Sequence, residues 1–239
     1  MLPIRDHNPS GRVPYVTYAL MAANIGIFLS MLPIAGDERA LAQLYYDYAL
    51  LPRRLMIEGE GYNALVSSLF LHAGLAHLAG NMLFLWIFGD NIEDEMGHGP
   101  FLGFYLLAGA LSGYAHAVAD PFSFIPMVGA SGAIAGVMGA YLLLFPKARV
   151  DIFFVIRIFP IPAWIMLMVW FGMQFVGGLG ATPQTGGVAY WAHAGGFIAG
   201  LLLAVPLWVN RGGRTFWERT DGHPPHPAAR YAMPKVKRK

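Results

Sequence analysis

Long apolar runs separated by short polar clusters set the rhythm of this chain. A helix needs about 20 apolar residues to cross a bilayer. The pattern predicts six such helices, at 15–35, within 63–89, and at 100–119, 131–145, 160–179 and 187–209. The fifth is read as starting at "PIPAWIMLMVW". The longest polar break, 36–62, carries eight charged residues from Asp37 to Glu60 and is too long for a plain turn, so structure of its own is expected there. After Asn210 the chain turns Gly/Pro-rich and basic and ends "MPKVKRK", which reads as a solvated, disordered tail. The expected fold is therefore all-α, a polytopic six-helix membrane bundle over 15–209. A short N-terminal segment, 1–14, precedes it and a basic tail, 210–239, follows. No internal repeat is evident.

Composition sharpens this picture. Of the 239 residues 56% are hydrophobic and only 13% charged, with mean hydropathy +0.49. Soluble domains carry about 25% charged residues. No cysteine is present, which removes disulfide and thiolate chemistry. The net charge of +2 hides an uneven distribution, and no nucleic-acid partner is expected. The opening "MLPIRDHNPSGRVP" lacks the apolar core of a signal peptide. With both ends placed in the cytoplasm, thirteen of the sixteen Lys and Arg residues fall on the inner side, as topology rules favour.

The fourth apolar segment is unusual. "MVGASGAIAGVMGAY", residues 127–141, is nearly free of bulk and holds one hydroxyl, Ser131, between glycines. Small residues with a single serine suit close helix packing in a membrane. They also suit a nucleophile that a substrate backbone must reach. From Ser131 to Phe145 the segment would cover only ~22 Å of the ~30 Å hydrocarbon layer. The stretch before it, "ADPFSFIPMVG", holds two prolines and a glycine. Irregular backbone at membrane depth persists only where protein buries it or where it lines a wet cavity. Ser131 is thus expected on the floor of a pocket opening to the outer side.

Other polar residues are expected at the same depth. His77 and Asn81 stand four apart on one face of the second segment, and His193 lies in the outer part of the sixth. Gly196 and Gly200 share the His193 face and would let that helix lie against Gly132 and Gly136. Polar groups inside a membrane default to function. Neutral His193 is suited to take the proton of Ser131. The N–H of Ser131, the Asn81 amide and the His77 imidazole are candidate donors to an oxyanion. No Asp or Glu lies within the six segments, so a Ser–His dyad rather than a triad is expected. Each residue also has a plainer reading, as an interhelical clasp or packing group, and His72 and His116 are read as structural or solvated. A competing class is a non-enzymatic membrane protein that binds metal or haem through His72, His77 and His193. No H-E-x-x-H metalloprotease motif occurs.

"GASG" opening the fourth segment, "HLAGN" in the second and "AHAGGFIAG" in the sixth resemble the rhomboid family of intramembrane serine proteases, over roughly residues 10–210. The resemblance implies the six-helix rhomboid fold, with Ser131 as nucleophile and His193 as general base. It places Gly129 beside an oxyanion hole that His77 and Asn81 complete. It implies cleavage of other proteins' transmembrane segments near the outer face of the bilayer, without metal or cofactor. The expected location is the cell membrane, a bacterial inner membrane, with both termini cytoplasmic. Two features depart from the family pattern. The first outer loop reads "LLPRRLM" where many bacterial members carry a Trp-Arg pair. Ala135 also stands where some members place a tyrosine on the histidine. The residue that orients His193 is therefore left open, as are the substrate and the oligomeric state.

Overall fold

The structure, a computed structural model, describes residues 2–180, 189–220 and 222. In chain order its elements are β1 (Leu2–Asp6), α1 (Tyr15–Met31), α2 (Glu38–Tyr48), α3 (Pro52–Met56), α4 (Ala64–Ser67), α5 (Leu75–Met96), α6 (His98–Ala119), α7 (Ser131–Leu144), β2 (Arg149–Phe154), β3 (Arg157–Pro162), α8 (Ala163–Gly180), α9 (Tyr190–Asn210) and α10 (Arg214–Thr220). The fold is a mostly helical bundle of the polytopic membrane kind. Among the described residues, four helical segments are long and apolar enough to span a bilayer: Tyr15–Ile34, α6, α8 and α9. The pair Ala64–Phe70 and α5, bent by 98°, makes a fifth when taken as one span. The sixth expected segment is α7, an apolar helix of only 14 residues. Such a helix covers ~21 Å.

α7 is the core of the bundle. Eleven of its 14 residues are buried, from Gly132 to Leu144. Its small residues permit this. A Cβ at Gly196 or Gly200 of α9 would overlap the backbone of Gly132 or Gly136, and one at Gly139 would overlap the Phe197 carbonyl. The helices meet backbone to backbone, as small-residue interfaces in membranes do. Ser112 of α6 donates to the Ala192 carbonyl at 2.7 Å and fixes the start of α9.

At the other end of the bundle, Phe88, Tyr141 and Phe145 pack edge to face. Buried Glu93 of α5 accepts hydrogen bonds from the Val16 and Thr17 amides and the Thr17 hydroxyl, at 2.7–2.8 Å. A carboxylate there satisfies orphan N–H groups and complements the dipole at the start of α1. Residues 90–96, beyond the second apolar segment, form the last turns of α5, and Gly97 caps it.

Strands are the main addition to the expected picture. The segment 1–14 contains β1, which pairs antiparallel with β2, and β2 pairs with β3 in a hairpin. The fifth apolar segment accordingly becomes helical at Ala163 rather than at 160. The tail expected from 210 begins with α10, whose Trp217 packs on Trp208 and donates to the Leu143 carbonyl at 3.0 Å. The remainder of the tail, 223–239, lies outside the described residues.

The 36–62 connection holds α2 and α3. Arg53 lies over Phe124 and Arg54 over Tyr46, and the Arg54 guanidinium donates to the Tyr46 carbonyl at 2.7 Å. These contacts fasten the loop in which the Trp-Arg pair is lacking.

Candidate active site

Ser131 is the first residue of α7, and the chain reaches it through a pinned loop. Leu50 and Met127 exchange both backbone hydrogen bonds, and the Gly129 amide donates to the Ser68 carbonyl at 2.9 Å. Gly129 sits at φ +120°, a conformation that side chains rarely adopt. A Cβ there would stand 2.7 Å from His77 Cε1 and Nε2 and 3.5 Å from Asn81 Nδ2. Only glycine lets the backbone pass so close to these two side chains. Gly129, His77 and Asn81 therefore come together one residue away from Ala130, the N-cap, and two from Ser131.

His193 lies in the first turn of α9, facing α7. Its Nε2 is 2.8 Å from Ser131 Oγ. Its Nδ1 is 2.8 Å from Gln174 Oε1 of α8. Trp170, one turn before Gln174 on α8, lies beside the imidazole with ring centroids 5.8 Å apart. α8 thus supplies both a polar partner and an aromatic neighbour to a histidine that has Ala135 where a tyrosine could stack. Neither Gln174 nor Trp170 stood out in the sequence as a site residue, since each reads there as one more member of an apolar helix.

Asn81 is 7% exposed, and its Nδ2 finds no hydrogen-bond partner among the described residues. A buried, unspent donor next to Gly129 is what an oxyanion site needs before substrate arrives. His72 is fully buried and packs edge-on to His77, with centroids 5.2 Å apart. The metal or haem alternative required His72, His77 and His193 to converge as ligands. Among the described residues no group of three His, Cys, Asp or Glu could hold a metal ion, and both His193 nitrogens already face Ser131 and Gln174. That donor set does not fit a three-histidine metal centre.

The fold agrees with comparisons to known proteins. The family description "Rhomboid domain" matches residues 59–210, so the chain belongs to the rhomboid family. It is 32% identical over 202 residues to "Rhomboid protease GluP" of Bacillus subtilis, a match covering 84% of this chain and 36% of that protein. It is 29% identical over 196 residues to "Rhomboid protein 1, mitochondrial" of Saccharomyces cerevisiae, covering 78% of this chain and 51% of the relative. A third relative, "Putative rhomboid protease YdcA" of Bacillus subtilis, is 28% identical over 134 residues, or 51% of this chain and 67% of that protein. The match thus spans about half the length, or less, of the first two relatives.

Proposed function

We propose that the chain is an intramembrane serine endopeptidase that hydrolyses peptide bonds in or near transmembrane segments of other membrane proteins. The observation that carries this reading is the 2.8 Å contact between Ser131 Oγ and His193 Nε2 across the α7–α9 interface. Family membership and the names of the relatives support it.

In the proposed reaction His193 is neutral, with its proton on Nδ1 donated to Gln174 Oε1. That tautomer leaves the Nε2 lone pair to accept the Ser131 proton. Ser131 Oγ then bonds to the scissile carbonyl carbon, and the carbonyl electron pair moves onto oxygen. The Ser131 N–H, Asn81 Nδ2 and the His77 ring N–H donate to that oxyanion. Collapse of the intermediate breaks the C–N bond, and the leaving amine takes the proton from His193 Nε2. Water, deprotonated by the same nitrogen, bonds to the acyl carbon, and His193 Nε2 returns the proton to Ser131 Oγ as the ester C–O bond breaks. Gln174 holds the imidazole in register throughout, the part an acid plays in a triad.

The proposed location is the cell membrane with both termini cytoplasmic. The site then opens toward the outer side, and substrates are single helices cut near their outer ends. Incubating the reconstituted protein with a panel of single-span substrates tests the activity. Cleavage by the parent and none by Ser131→Ala or His193→Ala is expected. Cleavage by Ser131→Ala at the parental rate would overturn the reading.

A further inference from the structure

The β2–β3 hairpin stands at the end of the bundle opposite the Ser131 site, where α7 ends and α8 begins. Its base is tied to both helices: the Ala163 amide donates to the Ala148 carbonyl at 2.7 Å and the Trp164 amide to the Pro146 carbonyl at 2.9 Å. β3 runs into α8 without a loop. Since α8 is one of the candidate spans, the hairpin base sits at the level where that span meets the membrane surface.

From the base outward the hairpin is apolar and uncovered. Phe153, Phe154, Val155, Ile156, Ile158 and Phe159 are all exposed, Val155 at 73% and Ile156 at 84%. An exposed apolar patch of this kind marks a contact with protein or membrane. The register favours membrane. Phe153 pairs with Ile158 on one face, while Phe154 and Phe159 lie on the other with Arg157. A sheet that docks on a protein keeps one apolar face and one polar face. Here neither face of the outer half is set aside for water.

The turn supports the same conclusion. The two residues joining the strands are Val155 and Ile156, and Val155 has φ +58°, a poor conformation for a β-branched residue. Two-residue hairpin turns favour Asn-Gly or Asp-Gly. Apolarity has overridden turn chemistry at the tip. The apolar surface also continues onto α8 through exposed Trp164, Ile165, Met168 and Val169, the lipid-facing side of a span. On the free edge, Pro160 and Pro162 remove two N–H groups from β3. Other edge groups still need water or headgroups, which sets the depth at the interfacial layer rather than the hydrocarbon centre. Arg157 has a stem long enough to reach phosphates from there.

We propose that the tip of the β2–β3 hairpin inserts into the interfacial layer of the lipid bilayer, in the leaflet at the chain-terminal end of the bundle, and anchors the base of α8 there. This rests on the membrane-spanning fold and is independent of proteolysis.

The absence of cysteine gives a direct test. Ile156→Cys carries one environment-sensitive fluorophore at the tip, and Glu218→Cys carries it on the exposed side of α10 at the same end of the molecule. Both proteins are reconstituted into phosphatidylcholine–phosphatidylglycerol vesicles, with lipids brominated near the headgroup or with aqueous iodide as quencher. The expected result is blue-shifted emission at 156, quenched several-fold by the shallow brominated lipid and little by iodide, with the reverse at 218. Water-like emission at 156 quenched by iodide would overturn the proposal. So would blue-shifted emission that no brominated lipid quenches, because protein would then be covering the tip, whether the 223–239 segment or a second copy.

Discussion

Gln174 Oε1 lies 2.8 Å from His193 Nδ1, on the side of the imidazole opposite Ser131. A serine on α7, a histidine on α9 and a glutamine on α8 thus form one line of hydrogen bonds through three helices. The amide has no charge to contribute, but its oxygen accepts only from Nδ1–H and so selects the tautomer that leaves Nε2 basic.

Removing that acceptor is predicted to cost about one hydrogen bond of orientation. Gln174→Leu should lower kcat about tenfold, the equivalent of ~1.4 kcal/mol, with KM for a single-span substrate little changed. Gln174→Glu keeps an acceptor at the same distance and should retain most of the activity. Equal losses in both variants, accompanied by equal drops in melting temperature, would assign Gln174 to packing instead.

His77 and Asn81 are predicted to act in the transition state. His77→Ala and Asn81→Ala should each lower kcat by about 10²–10³ and slow fluorophosphonate labelling of Ser131, whose phosphoryl oxygen uses the same donors. Normal labelling with a lowered melting temperature in both variants would make them helix clasps only.

Gly200 is predicted to be intolerant of any side chain, because a Cβ there would overlap the Gly136 backbone. Gly200→Ala should push α9 away from α7, lower the melting temperature by several degrees and reduce labelling, since His193 rides on the same helix. Gly172 of α8 has open space around its Cβ position, so Gly172→Ala is the matched control and should do neither.

Asp6 ends β1 and accepts from the Tyr141 hydroxyl at 2.8 Å. Burial raises its pKa from 3.8 to about 8, opposed by the Tyr141 hydrogen bond and reinforced by the nearby Asp90 carboxylate. The folded protein therefore keeps this carboxyl protonated at pH values where the unfolded chain has ionised it. The resulting stabilisation is full below about pH 4 and is lost as pH rises toward 8. Asp6→Asn should flatten the melting temperature between pH 5 and 8 and exceed the parent at pH 8. A parent-like slope in the variant would show that another group titrates.

Much of the candidate site was legible because it obeys local rules. The spacing of His77 and Asn81, the glycines around Ser131 and the glycine face beside His193 each follow from one helix's own period. Gln174 was not legible because a lone polar residue in an apolar helix carries no sign of which neighbour it meets. That depends on how α8 docks on α9. The strands were missed for a related reason. β1 pairs with β2 across more than 140 residues, as Leu2 with Phe153, and no local pattern announces a partner so distant. The apolar end of the second strand, Pro160–Pro162, also read as the start of the fifth helix.

The most direct measurement of the central claim is the site and rate of covalent labelling by a fluorophosphonate on the reconstituted protein, read by mass spectrometry of the modified peptide. One adduct on Ser131 is predicted, lost in Ser131→Ala and slowed at least a hundredfold in His193→Ala, while Gly172→Ala labels like the parent. An adduct elsewhere, or labelling of Ser131 at an unchanged rate without His193, would contradict the dyad.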